Sequence, residues 1–146
     1  MTEQEIAEKS AAAMWADDSA SSALGMKIER VEPGVAVLSM TIGPTMVNGH
    51  GLAHGGYIFL LADSTFAFAC NSRNQRQVAQ HAQISFLAPG RLGMKLVAEG
   101  RERQRGERSG IYDITVRDET GTVIAEFRGW SRSIPGTLIE PSPSDK

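Results

Sequence analysis

The chain has a single cysteine, Cys70, which excludes an internal disulfide and any metal site built from several thiolates. One unpaired thiol also fits a reducing compartment. No apolar run is long enough for a bilayer: the longest, Tyr57 to Cys70, is short and has Asp63 inside it. The opening residues, MTEQEIAEKSAAAMW, carry early acids and no long apolar stretch, so no secretory signal is expected. There is no excess of basic residues either. A formal charge of -2 argues against a nucleic-acid partner. A G-x-S-x-G elbow is missing, which argues against a serine triad. These absences describe a cytoplasmic protein with no membrane or nucleic-acid partner.

What is present suits one domain. The chain has 146 residues, 41% of them apolar and 22% charged, enough for one packed core under a soluble surface. Thr2 and Glu5 have capping-box spacing, so a helix is expected from Thr2 to about Trp15, with Ile6, Ala13 and Met14 among its less polar positions. Asp17 to Ser22 reads as a loop or a short helical turn. Strands are expected at Met26–Glu32 and Val35–Ile42 around the Pro33-Gly34 turn. Ala36, Leu38, Met40 and Ile42 give the second strand an apolar face. Gly43 to Gly56 holds many glycines and no periodicity, so it reads as a loop. A helix then fits Gly56 to about Ser72, apolar on most sides and therefore buried on most sides. Four strands follow, at Val78–Ala88, Lys95–Arg103, Ser109–Asp118 and Thr122–Ile134, separated by turn signals. The fold class is α+β, one long helix lying on an antiparallel sheet. Residues 1–18 form an N-terminal helix, 19–135 the main domain, and 136–146 a flexible tail. One helix cannot cover both faces of such a sheet, so apolar strand surface should remain for a partner subunit.

The chemistry gathers in the loop and the long helix. Between Gly51 and Ser72 there is one acid, Asp63, and no lysine or arginine. An unpaired ionised carboxylate in an apolar helix costs several kcal/mol, roughly, if it is fully buried. No cation stands three or four residues away from Asp63 to offset this. Two readings stand: Asp63 bonds a nearby hydroxyl or backbone group and fixes packing, or it works on a substrate. The segment Asn48-Gly49-His50-Gly51-Leu52-Ala53-His54-Gly55-Gly56 favours the second. Glycines at the mouth of a helix let backbone N–H groups approach a ligand oxygen, and the first helical turn has unpaired donors. Such donors stabilise the oxyanion of an attacked carbonyl by about a few kcal/mol. Asn48 adds an uncharged donor. A glycine loop that only caps the helix is the competing explanation.

Other residues carry less. His50 and His54 have the spacing of zinc ligands on a helix, but glycines make this stretch a loop, and no metal site is expected. His54 reads as a brace that holds the loop. Cys70 reads as a small buried hydrophobe. Phe59 and Phe66, with Tyr57, Phe68 and Trp130, are candidates for an aryl pocket, and core packing is the alternative for each. Arg101, Arg103, Arg105 and Arg108 flank the Gly106 turn. Arg103 and Arg105 are the candidates for gripping the phosphates of a nucleotide-tailed substrate; a solvated hairpin end is the plainer reading.

The stretch His54-Gly55-Gly56-Tyr57-Ile58-Phe59-Leu60-Leu61-Ala62-Asp63 resembles the HGG…D helix of hotdog-fold thioesterases. The segments Phe66 to Ser72 and Ile84 to Gly90 are similar to the phenylacetic acid degradation (PaaI) branch of that family. The resemblance spans about residues 20 to 135. It implies a helix wrapped by a curved antiparallel sheet, assembled as a homodimer or homotetramer. It implies hydrolysis of phenylacetyl-CoA or ring-hydroxylated relatives, with coenzyme A as part of the substrate and no separate cofactor. By the same resemblance Gly55 supplies the oxyanion N–H, Asn48 helps hold the thioester or its water, and Asp63 of the other subunit activates water or attacks directly. His54 and Gly56 flank the substrate in this motif. Some relatives carry a hydroxyl residue where this chain has Ala79, so water positioning is expected to differ here. The alternatives are a hotdog dehydratase of hydroxyacyl thioesters, which uses a catalytic histidine and a proline-rich loop, and a non-catalytic acyl-CoA binder.

Overall fold

The computed structural model describes residues 1–141. Helix α1 spans Glu3–Asp17 and α2 spans Ser19–Ala23. Strands β1 (Lys27–Glu32) and β2 (Val35–Thr41) come next, followed by a 3-10 turn at Pro44–Met46 and the long helix α3 (Gly55–Cys70). Strands β3 (Gln77–Phe86), β4 (Lys95–Arg105), β5 (Ser109–Arg117) and β6 (Val123–Ser133) complete the fold. All strands pair antiparallel in the order β1-β2-β4-β5-β6-β3, and α3 packs against every one of them. This is the expected α+β arrangement of a helix wrapped by a sheet.

Local chemistry sets these elements. The Thr2 capping box starts α1, with the Thr2 hydroxyl accepting the Glu5 N–H and the Glu5 carboxylate receiving the Thr2 N–H. The buried face of α1 is Ala7, Ser10 and Ala11, small side chains that let the helix lie close to its neighbours, while Ile6, Ala13 and Met14 are half-buried. The Pro33-Gly34 turn joins β1 to β2, and Gly34 has φ +74°, a left-handed conformation that costs glycine little. Ala36, Leu38 and Met40 on β2, and Ile42 just after it, are all buried, as the alternation requires. Ile58, Leu61, Ala62, Thr65 and Ala69 bury the sheet-facing side of α3. Each large apolar side chain removed from water contributes about 1.5–3 kcal/mol.

Two ties hold the N-terminal helices to α3. Trp15 lies against Phe68 with ring centroids 6.2 Å apart. The Ser21 hydroxyl donates to Asp18 Oδ2 at 2.7 Å and shares a 2.8 Å hydrogen bond with the Ser64 hydroxyl.

The apolar strand surface expected for a partner is confined to one edge: the open face of the sheet is polar, covered by Asp113, Thr115, Glu126 and Arg128, with Arg128 making a two-point ion pair to Asp113. Among the described residues the exposed large apolar side chains are Val78, Phe86, Leu87 and Leu92, on edge strand β3 and the loop after it. The tail is not free from Gly136 onward. Leu138 and Ile139 donate their N–H groups to Asn74 Oδ1 at 2.8 and 2.9 Å, and Arg76 Nε donates to the Thr137 carbonyl. The remainder of the expected tail, 142–146, lies outside the described residues.

Candidate active site

The mouth of α3 is built from the loop 47–54. Asn48 knits that loop together. Its Oδ1 accepts the N–H groups of His50 and Leu52 at 2.9 and 3.2 Å, and its own N–H donates to the Leu52 carbonyl at 2.8 Å. Oδ1 is committed to the loop, while the Asn48 side-chain NH2 makes no hydrogen bond among the described residues and keeps its donor capacity. Two backbone bonds anchor the loop end: Ala53 N–H to the Gly90 carbonyl and His54 N–H to the Met46 carbonyl, both 2.8 Å.

His54 is the N-cap of α3, and its Nδ1 accepts the Gly56 N–H at 3.0 Å. The Nδ1 atom is therefore unprotonated, and the ring carries its proton on Nε2. This cap starts α3 at Gly55, one residue before the expected position. The Tyr57 N–H donates to the His54 carbonyl at 3.0 Å. Of the first-turn donors this leaves the Gly55 N–H without a protein partner among the described residues, at the positive end of the helix dipole. A Cβ at Gly55 would meet Cζ of Phe86 at 3.0 Å and Cε1 at 3.3 Å.

Asp63 lies two turns further along. On α3 the half-open positions are Gly55, Tyr57, Phe59, Leu60, Asp63 and Ala67, so Asp63 stands on an uncovered stripe facing away from the sheet. Among the described residues its carboxylate makes no hydrogen bond and no ion pair, and burial alone pushes its pKa above the usual carboxylate range. A hydroxyl or backbone group that would bond Asp63 and fix packing is not found among the described residues. Eight residues separate Gly55 from Asp63, about 12 Å along the axis at 1.5 Å per residue. One thioester carbonyl cannot meet both groups of the same chain.

The remaining candidates separate into those near the mouth and those away from it. Phe59 is half-buried and packs edge-on against Phe127 at 5.3 Å, beside the open stripe. Phe66 is a correction: it is 1% exposed, wedged between Tyr112 and Phe127, and lies so close under Gly129 that a Cβ there would sit 2.6 Å from its ring. It has no surface to offer a ligand. Arg103 and Arg105 are also parted. A β-bulge between Glu102 and Gln104 shifts the register of β4, so two residues that would share a face do not. Arg103 pairs with Asp113 at 3.2 Å on the open face, while Arg105 lines a separate depression with Glu3, Ile6, Pro33, Ser72 and Arg73. They cannot grip one phosphate group from a single chain. His50 is exposed in the loop and His81 packs on Trp130 at 4.8 Å, so the three histidines do not converge. The Cys70 thiol is buried, and desolvation pushes it up to about 12.

Phe86 escaped the sequence reading. It ends an edge strand just before Ala88-Pro89-Gly90, and nothing in its spacing marks contact with a glycine thirty-one residues earlier. A depression of about 650 Å³ lies on the open face among Gln83, Ser85, Asp113, Thr115, Glu126 and Arg128. Asp113 is held below the usual carboxylate range by its hydrogen bonds from Arg128, and Glu126 accepts from the Thr115 hydroxyl.

Comparison with known proteins agrees with this architecture. Residues 50–125 match the Thioesterase superfamily model. The chain is 42% identical over 130 residues to the acyl-coenzyme A thioesterase PaaI of Escherichia coli, covering 89% of this chain and 93% of that one. The solved structure of the E. coli PaaI protein, from the phenylacetic acid degradation operon, superposes with a TM-score of 0.92 at 40% identity, covering 93% of this chain and 99% of that one. A Streptococcus mutans protein solved with acetyl-CoA bound superposes with a TM-score of 0.74 at 25% identity, over 77% and 90% of the two chains. With this helix and sheet, the chain belongs to the thioesterase superfamily as a hotdog-fold acyl-CoA thioesterase of the PaaI family.

Proposed function

We propose that the protein hydrolyses phenylacetyl-CoA or its ring-hydroxylated relatives to the free acid and CoA, at sites shared between two copies of the chain. The observation that carries this reading is the half-buried, unpartnered carboxylate of Asp63 on the open stripe of α3. A desolvated acid without a partner is unfavourable for folding and useful for proton transfer, because a raised pKa makes it a stronger base. Since Gly55 of the same chain is about 12 Å away, the complementary donor comes from a second chain. Edge strand β3 is open on one side and carries exposed Val78 and Phe86, with Leu87 next to it, which favours pairing into a homodimer, alone or within a homotetramer.

In this reading the thioester oxygen lies on the Gly55 N–H, and the Asn48 NH2 helps hold the thioester or the water. The Asp63 carboxylate of the other copy takes a proton from water as its oxygen attacks the carbonyl carbon. The tetrahedral intermediate then expels the CoA sulfur, which leaves with a proton. Direct attack by Asp63, with hydrolysis of the resulting anhydride, uses the same groups. Arylacetyl specificity is supported by the similarity to the E. coli PaaI protein and by Phe59 beside the stripe.

Release of free CoA thiol from phenylacetyl-CoA, wild type against Asp63→Asn, tests this. The expected loss in kcat is about 10²–10⁴-fold, the range for a general base, with the fold retained. Unchanged turnover in the variant would remove Asp63 from its role. An enoyl product from a 3-hydroxyacyl-CoA, with no thiol released from that substrate or from phenylacetyl-CoA, would mean a dehydratase instead. A panel of aryl and alkyl acyl-CoA substrates tests the acyl preference, which fails if straight alkyl chains turn over faster.

A further inference from the structure

We infer that Phe86 is a positioning residue for the oxyanion donor, its ring braced against Gly55 to hold the first turn of α3 and to keep water off the Gly55 N–H. The inference rests on the reading of Gly55 as that donor.

Three observations lead here. First, the ring tip lies against the place where a side chain on Gly55 would start: Cζ, Cε1 and Cε2 lie 3.0, 3.3 and 3.5 Å from that point. A side chain at 55 would press on the Phe86 ring, which would have to give way by a few tenths of an ångström. Second, the backbone that carries the ring is fixed. Phe86 pairs with Ala125 at the end of β3, and the next two residues, Leu87 and Ala88, both donate to the Ile124 carbonyl at 2.8 and 3.2 Å. The same loop accepts the Ala53 N–H at Gly90, so it is clamped to the segment that leads into Gly55. Third, the ring is 52% exposed although it is large and apolar. A half-open aromatic face beside a lone backbone donor offers a dry wall to a bound thioester, and a hydrogen bond to an oxyanion is stronger in a drier site.

The consequence concerns geometry more than affinity. Without the ring, the Gly55 peptide can roll and water can reach its N–H, which affects the charged transition state more than the neutral ground state. Phe86→Ala should therefore lower kcat by about tenfold or more while KM changes less than threefold, since small misplacements of catalytic groups carry large rate penalties. Phe86→Leu, which refills part of the space, should recover most of the rate. The sharper test is a double-mutant cycle with Gly55→Ala, which keeps the N–H but sets a methyl against the ring. Gly55→Ala alone should be strongly impaired, and Gly55→Ala in the Phe86→Ala background should rise to the level of Phe86→Ala alone.

The cycle is run on CoA release from phenylacetyl-CoA, with the association state of each variant followed by sedimentation. Wild-type kcat in Phe86→Ala, beside a crippled Asp63→Asn, overturns this inference and leaves the functional reading intact. Additive losses in the double variant overturn it as well. So does dissociation of Phe86→Ala into monomers, which would make Phe86 an interface residue only. Full turnover by Asp63→Asn defeats the functional reading and this inference together.

Discussion

The Nδ1 atom of His54 accepts the N–H of Gly56 at 3.0 Å, and this single bond leaves Gly55 as the open donor at the mouth of α3. The histidine is thereby occupied with the helix and not with a proton of the substrate. His54→Ala should cost about 1 kcal/mol of stability, as for other lost N-caps. It should also lower kcat, because the Gly56 N–H is released and the turn loosens. His54→Asn, an alternative cap, should restore the melting temperature and most of the rate. A general base at this position would instead make both variants equally inactive.

Phe66 and Gly129 make a matched pair in the core, and their variants should behave as stability variants. Phe66→Ala should cost about 3–5 kcal/mol in chemical denaturation. Gly129→Ala should cost about 1–3 kcal/mol through overpacking. The KM for phenylacetyl-CoA should stay within about twofold in whatever fraction remains folded, as expected for residues that only pack the core. A raised KM at unchanged stability would return Phe66 to the acyl pocket.

The fold was legible in the sequence because its signals are local. Alternation on β2, the Thr2 box and the Pro33-Gly34 turn each act within a few residues, and each lies where expected. Asp63 was legible as well, since no neighbour in sequence neutralises it. Phe66 was misread because helical spacing aligns it with Phe59 and Asp63, and only Gly129 on β6 makes room to bury it. The contact of Phe86 with Gly55 joins two distant segments and leaves no periodic trace. The bulge beside Arg103 is equally silent: alternation predicts one face for Arg103 and Arg105, and one extra residue sends them to two.

The separated arginines give a prediction of their own. Arg105 makes no ion pair among the described residues, while Arg103 is engaged with Asp113. Arg105→Ala should raise KM severalfold with kcat little changed, as removal of a ground-state contact to a CoA phosphate does. Arg103→Ala should leave KM within about twofold and cost no more than about 1 kcal/mol, the range for an exposed ion pair. Equal KM effects in the two variants would mean that they reach one phosphate group.

The pH dependence follows from the direction of the Asp63 shift. Burial raises its folded pKa above the unfolded carboxylate value, so the ionised form weakens the fold. Its contribution is most favourable below the unfolded value and is lost as pH rises through the raised one. Asp63→Asn should therefore melt higher than wild type at pH 8, with the gap closing in acid. The kcat/KM of wild type should fall on the acid side as the same carboxylate takes up a proton. A melting difference that widens in acid would contradict this sign.

The central claim is that Gly55 of one chain and Asp63 of another serve one thioester, and subunit mixing tests it most directly. Asp63→Asn and Gly55→Val are each expected to be inactive alone. Mixed after dissociation, they form hybrid dimers in which one of the two shared sites has both native residues, because a twofold interface exchanges the same pair twice. Random mixing then predicts recovery of about a quarter of wild-type CoA release. A mixture that remains as inactive as its components, although hybrids form, would contradict the shared site.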